Sequence, residues 1–292
     1  MKTRHLLYLG FFLVGLMSSC EFSKAVSKDL ITGITTKGDG ISCDNVYLSD
    51  GKDKINRSSF VYGEKIYMNF ENIKGFKEEG NAVFPGLELT IVGQDGDTIM
   101  HNSDLYPDNV DGFDISPLLL QTNITVGNPI FSNNKYELYV NIWDKKSEGT
   151  YSANMDFDVV PNDLIKIESN NVSYDEIYLF SREREITITN NQTKLNENVH
   201  FIFEGLEGFS IENGKAFLGL SLKGKDAEGK MILNEADLIG DSSMEIAELK
   251  KQIAPSVIFS GSEIKNPVTC EVTLWDKKSE NKIKVSIDLD IK

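Results

Sequence analysis

The stretch Trp275-Asp-Lys-Lys-Ser-Glu-Asn-Lys-Ile-Lys-Val-Ser-Ile-Asp-Leu-Asp-Ile291 decides the fold class. Ile283, Val285, Ile287, Leu289 and Ile291 alternate with Lys284, Ser286, Asp288 and Asp290. A period of two means a strand with one dry face and one wet face, as in antiparallel sheets. Ile66, Met68 and Phe70 alternate with Tyr67, Asn69 and Glu71 in the same way. Strand-like runs of roughly five to nine residues, separated by Gly, Asn, Asp and Ser clusters, recur along the chain. The pattern predicts an all-β protein.

The first six letters of that stretch occur twice. Trp143-Asp-Lys-Lys-Ser-Glu148 returns as Trp275-Asp-Lys-Lys-Ser-Glu280, 132 positions on. Phe70-Glu-Asn-Ile-Lys-Gly-Phe76 returns as Phe203-Glu-Gly-Leu-Glu-Gly-Phe209, and Gly96 with Asp104-Leu105 returns as Gly229 with Asp237-Leu238. Nearer the front, Asp29-Leu-Ile31 and Val46-Tyr-Leu48 match Asp163-Leu-Ile165 and Ile177-Tyr-Leu179. Matches that keep their order at a nearly constant offset mark the duplication of a whole domain of about 130 residues. The boundary falls at Val160-Pro161-Asn162, where proline and asparagine end one strand. Residues 29–160 and 161–292 are therefore expected to be two tandem antiparallel β-sandwiches of roughly seven or eight strands each. The linker is so short that the two are expected to touch.

The repeated hexapeptide joins two alternating strands and reads as the tip of the last hairpin in each copy. An aspartate closing a strand, a polar turn and an alternating final strand resemble the end of many bacterial immunoglobulin-like domains. One interruption is shared. Ser116 followed by Pro117-Leu-Leu-Leu120 reads as a cap and first turn. Ile246, Leu249 and Ile253 stand at helical spacing before Pro255. Each copy is expected to carry a short crossover helix.

The N-terminus carries the most specific signal. Lys2 and Arg4 precede the uncharged apolar run Leu6–Met17, too short to span a bilayer comfortably but suited to a secretory signal. The run ends in Met17-Ser18-Ser19-Cys20, which resembles the lipobox of bacterial lipoproteins. The resemblance implies a cleaved signal peptide over residues 1–19, acylation of Cys20, a tether over residues 20–28, and attachment to the membrane through the Cys20 lipid. It places the protein in the cell envelope as an outer-membrane lipoprotein, on the periplasmic face or the cell surface. The style of the sequence is similar to lipoproteins of the Bacteroidota. Asp97-Thr98-Ile99 resembles their short O-glycosylation motif. An ordinary cleaved signal with an incidental cysteine is the plainer alternative. The two later cysteines, Cys43 and Cys270, fall in different copies and read as unpaired thiols, with Cys270 on the apolar side of its strand.

From residue 20 onward, 45 acidic residues face 28 basic ones, a net charge of −17. That balance argues against nucleic acid as a partner, because phosphate binding rests on clustered Lys and Arg. His101 and His200 stand in different copies without zinc-ligand spacing, and no Gly-x-Ser-x-Gly elbow occurs. Neither an enzyme nor a cofactor or metal site is expected. The acid-rich stretch Asp104–Asp114 matches no EF-hand and reads as solvated turns rather than a calcium loop. Trp143 and Trp275 hold equivalent places, where they either pack across the sandwich end or offer two rings to a sugar. The leading expectation is a non-enzymatic envelope lipoprotein that binds or scaffolds another envelope protein. The alternative is a glycan-binding surface lipoprotein using Trp143 and Trp275. A hydrolase, which needs a cleft with a convergent nucleophile and base, comes third.

Overall fold

The computed structural model describes residues 26–114, 117–261 and 264–292. The expected signal peptide, Cys20 and the first part of the expected tether lie outside the described residues, as does Ser116. The sheet structure begins at Val26–Lys28, which sequence reading assigned to the tether and which pairs with Thr35–Asp39.

The chain folds as several antiparallel sheets with a single short helix among the described residues. In the first half, a seven-stranded sheet runs Val26–Lys28, Thr35–Asp39, Thr150–Val160, Asn134–Asp144, Pro85–Gly93, Thr98–Asn102, with Ser59–Val61 pairing parallel to Thr150–Val160. A four-stranded sheet runs Leu119–Thr125, Lys65–Lys74, Ser42–Ser49, Lys54–Ile55. Inward residues of both sheets form one buried cluster drawn from residues 34–159, including Phe60, Phe70, Leu87, Ile91 and Met155. The second half repeats this plan. Lys166–Asn170, Lys282–Ile291, Val268–Asp276, Leu218–Lys225 and Met231–Glu235 form one sheet, with Gln192–Thr193 again parallel to the last strand. Ile186–Ile188, Glu176–Ser181, Asn198–Glu204 and Ser256–Ile258 form the other. Their apolar residues make a separate cluster drawn from residues 165–291. The architecture is β-sandwich-like, and each buried large side chain such as Phe201 or Phe203 contributes about 1.5–3 kcal/mol.

Period-two reading of the strands translates directly into burial. Ile283, Val285, Ile287 and Leu289 are buried in the last strand, and Ile66, Met68 and Phe70 in theirs. Cys270 is buried among them, Cys43 is partly buried, and both thiols are free. No helix among the described residues is long and apolar enough to cross a membrane.

Among the described residues, a crossover helix is present in the second half alone. Ile246–Lys251 is helical and buries Leu249. The expected helix at Pro117-Leu-Leu-Leu120 is a correction, because Leu119–Thr125 is a strand. Leu118, Leu120, Thr122, Ile124 and Val126 are buried while Leu119 stays 58% exposed. The alternation runs on to Val126, and a period of two cannot be satisfied by a helix. In the second half Pro255 occupies the place of Thr122, and the strand shrinks to Ser256–Ile258.

Candidate functional site

The repeated hexapeptide gathers the most side chains in the same arrangement in both halves, so these are the first candidates for a site. In the first half, Asp144 closes its strand and is 3% exposed. Its Oδ1 accepts from the backbone N–H of Lys146 at 2.9 Å, and its Oδ2 accepts from the N–H of Lys77 at 2.7 Å and the Ser147 hydroxyl at 2.6 Å. Asp276 repeats the set with Lys278 N–H at 2.9 Å, Ser210 N–H at 2.7 Å and the Ser279 hydroxyl at 2.7 Å. An aspartate does this because its two oxygens can accept from several donors around one turn.

The two lysines divide their work. Lys145 reaches Asp104 at 2.7 Å and the Tyr106 carbonyl at 2.7 Å, and Lys277 reaches Asp237 at 2.7 Å. The carboxyl of Asp237 is held down at about 2: burial works against this, and Lys277 with the N–H groups of Leu220, Gly240 and Ile239 overcomes it. Asp104 is lowered in the same way, with Lys145 first among the groups that outweigh its burial. The second lysine lies over a ring, Lys146 over Phe84 at 4.5 Å and Lys278 over Phe217 at 5.0 Å. Asp104, the first acid of the stretch weighed as a calcium loop, and its counterpart Asp237 are therefore ion-paired with the hairpin.

The tryptophans complete the unit. Trp143 stands opposite Gly86 and Trp275 opposite Gly219 on the neighbouring strand. A Cβ added to either glycine would come 2.1 Å from the indole Cε2, so each ring lies directly on the backbone of its neighbour. Both indoles are partly buried, and they belong to different sheets. Sequence reading missed the glycines, although Phe84-Pro-Gly-Leu-Glu-Leu89 and Phe217-Leu-Gly-Leu-Ser-Leu222 carry the signal as a further repeat. His101 meets the Thr90 hydroxyl oxygen at 2.9 Å, and His200 lies on a strand of the other half. Among the described residues, no group of three or more His, Cys, Asp or Glu is gathered as for a metal ion.

A second constellation lies where the halves meet. The Tyr62 and Tyr178 rings are 5.1 Å apart, and Asn162 donates to the Thr189 carbonyl at 3.2 Å. Glu176, 4% exposed, accepts from the Ser132 N–H at 2.5 Å and the Ser132 hydroxyl at 3.0 Å. A cavity of about 40 Å³ adjoins these residues. Burial pushes the Glu176 carboxyl up; the Ser132 bonds oppose that rise, and Glu204 and Asp175 add to it. A carboxyl raised in the folded state favours folding when protonated, and that advantage disappears as pH rises through its folded value. Glu176→Gln keeps an acceptor for Ser132 without a buried charge. It is expected to raise stability at neutral pH by up to about 1 kcal/mol and to lose that advantage below about pH 4.5. Thermal midpoints of both proteins across the pH range measure it, and a pH-independent difference would contradict it.

Comparisons with known proteins add little. No family model matches the chain, and no curated protein does. Among solved structures, pT26-6p is 10% identical, covers 88% of this chain and 63% of its own, and has a TM-score of 0.28. Bacteroides uniformis beta-glucuronidase is 11% identical over 84% of this chain and 32% of its own, with a TM-score of 0.28. The C-terminal domain of the Streptococcus agalactiae AgI/II polypeptide BspA is 12% identical over 83% of this chain and 99% of its own, with a TM-score of 0.24. Likenesses of this size carry no functional inference.

Proposed function

We propose that this chain is an acylated envelope lipoprotein whose two immunoglobulin-like sandwiches form a non-enzymatic binding or scaffolding arm for another envelope protein. The observation that carries the envelope assignment is Met17-Ser18-Ser19-Cys20 at the end of an apolar run of signal-peptide length. Acyl chains on Cys20 anchor the arm, since each buried methylene adds about 0.8 kcal/mol. The binding role is supported by the use of the shared residues. Asp, Lys, Lys and Ser of each hexapeptide are occupied in holding a hairpin, and each tryptophan is seated on a glycine. What differs between the halves, loops and strand edges, is what sandwiches offer to partners.

Partial exposure of Trp143 and Trp275 keeps the glycan-binding alternative specific: a sugar would stack on the indole face turned away from the glycine. Crosslinking and pull-down from native membranes, wild type against Cys20→Ala, tests the proposal. The wild type is expected in the membrane fraction with one recurrent envelope protein, and Cys20→Ala in the soluble fraction. Persistent membrane attachment of Cys20→Ala would overturn the anchor. Recovery of polysaccharide alone, lost on Trp143→Ala or Trp275→Ala, would replace the protein partner with a glycan.

A further inference from the structure

The strand Leu119–Thr125 lies at the edge of its four-stranded sheet, and apart from the Tyr106 hydroxyl laid on its Gln121 carbonyl at 3.0 Å it carries little of what normally guards an edge. Lysines, prolines, bulges and short length are those devices, because bare N–H and C=O groups recruit another strand. This strand has seven residues, Leu-Leu-Gln-Thr-Asn-Ile-Thr, and pairs with Lys65–Lys74 without a register shift. Residues 115–134 contain no charged side chain, in a chain with 45 acidic and 30 basic residues. Leu119 is 58% exposed at its start. The equivalent edge in the second half is guarded by two of these devices: Ser256–Ile258 has only three residues, and Pro255 precedes it.

We propose that Leu119–Thr125 pairs antiparallel with the same strand of a second copy of this chain, about a two-fold axis at Thr122. The direction of the backbone groups sets which residues face the second copy, and full overlap of the seven-residue strand with itself centres the axis on Thr122. The Val126 N–H donates to the Glu64 carbonyl at 2.8 Å, one step beyond the pairing of Thr125 with Lys65. In an antiparallel ladder such residues alternate, so even-numbered residues bond inward to Lys65–Lys74 and odd-numbered ones face the open edge. Tyr106 agrees with this direction, since its hydroxyl donates to the Gln121 carbonyl at 3.0 Å and shares that acceptor when a strand is added. With the axis at Thr122, the outward groups of Gln121 and Asn123 meet those of Asn123 and Gln121 of the second copy. Leu119 then meets Thr125, and Leu120 lies beside Ile124.

The choice of a second copy rests on charge. A chain of net charge −15 repels its own copies across most of its surface, and like charges placed directly opposite destabilise a strand pair. Across this axis no charged side chain of the strand faces another. The pairing does not depend on the envelope reading, so its failure leaves that reading untouched.

Sedimentation equilibrium of the full chain in detergent tests the pairing. A reversible dimer is expected for the wild type. Gln121→Lys, at an exposed position where the new ammonium can still donate to Asn69 Oδ1 as the amide does at 2.7 Å, is expected to weaken it at least roughly tenfold while moving the thermal midpoint little. The register is read separately with the double variant Gln121→Cys with Asn123→Cys. Residues facing each other as a hydrogen-bonded pair have Cα atoms about 5.5 Å apart, inside the disulfide range. The double variant should form a disulfide-linked dimer under mild oxidation. Either single variant should not, because its equivalent positions stand about 7–8 Å apart, on the diagonal. A wild type that stays monomeric at every concentration overturns the proposal. So does a dimer indifferent to Gln121→Lys, which would place the interface elsewhere.

Discussion

Replacing Glu197 with alanine is expected to cost about 3–5 kcal/mol of stability. The carboxylate is 4% exposed and receives donors from four residues. Thr193 Oγ1 and the Lys194 N–H reach its Oε2 at 2.8 Å each, and the Ser181 hydroxyl and Arg184 Nε reach Oε1. Alanine leaves the buried Ser181 and Thr193 hydroxyls without their acceptor and the partly exposed Arg184 guanidinium without its ion pair. Burial alone would raise the Glu197 carboxyl, yet Arg184, Ser181, Thr193 and Lys194 together hold it at about 2. Its folded value therefore lies below the unfolded one of about 4.3. The stabilisation is present above that unfolded value and is lost as pH falls through about 2. At about 1.4 kcal/mol for each pH unit of separation, it amounts to about 3 kcal/mol at neutral pH. Denaturant unfolding should show the wild type losing stability between roughly pH 4 and pH 2, with Glu197→Ala flatter over that interval. Equal slopes in the two proteins would sink the assignment.

Asp276→Ala should cost about 3 kcal/mol, because three donors lose a charged acceptor at a position 2% exposed. The informative companion is Asp276→Asn. One oxygen serves the Lys278 N–H and the other serves the Ser210 N–H and Ser279 hydroxyl. An amide in either orientation turns its NH2 group toward a donor, so this nearly isosteric change is expected to cost about 2 kcal/mol. Asp144 holds the same three kinds of donor, and Asp144→Asn should match it in the first half. Chemical denaturation of the three variants measures these costs. An Asn variant as stable as the wild type would show that charge and acceptor geometry at the turn are dispensable.

Much of the fold was legible in the sequence because it is written in local periods. Alternation from Ile283 to Ile291 needs only neighbouring letters to be read, and every buried position followed from it. The repeat was legible because a hexapeptide survived unchanged in both halves. The first crossover misled because serine, proline and three leucines imitate a helix start, while the alternation that decides the matter lies further on, at Thr122, Ile124 and Val126. The polar hubs were not legible. Glu197 meets Ser181 and Arg184 from a preceding hairpin, and Glu176 meets Ser132 from the other half of the chain. Pairings of that kind depend on where folding brings distant segments, and no spacing in the sequence encodes them. Of the candidate residues, Trp143 and Trp275 were found by repetition, but the glycines beneath them were overlooked.

Duplication ordinarily multiplies whatever a domain can do. Two modules with identical open edges would make each molecule a link with two hands, and links with two hands form chains without an end. The three-residue strand at Ser256–Ile258, with Pro255 before it, removes one hand. What is left at this position of the fold has a valence of one, so the pairing proposed for the Leu119–Thr125 edge would close at two copies. In that light, the shortening of one strand after duplication separates a discrete assembly from a fibre.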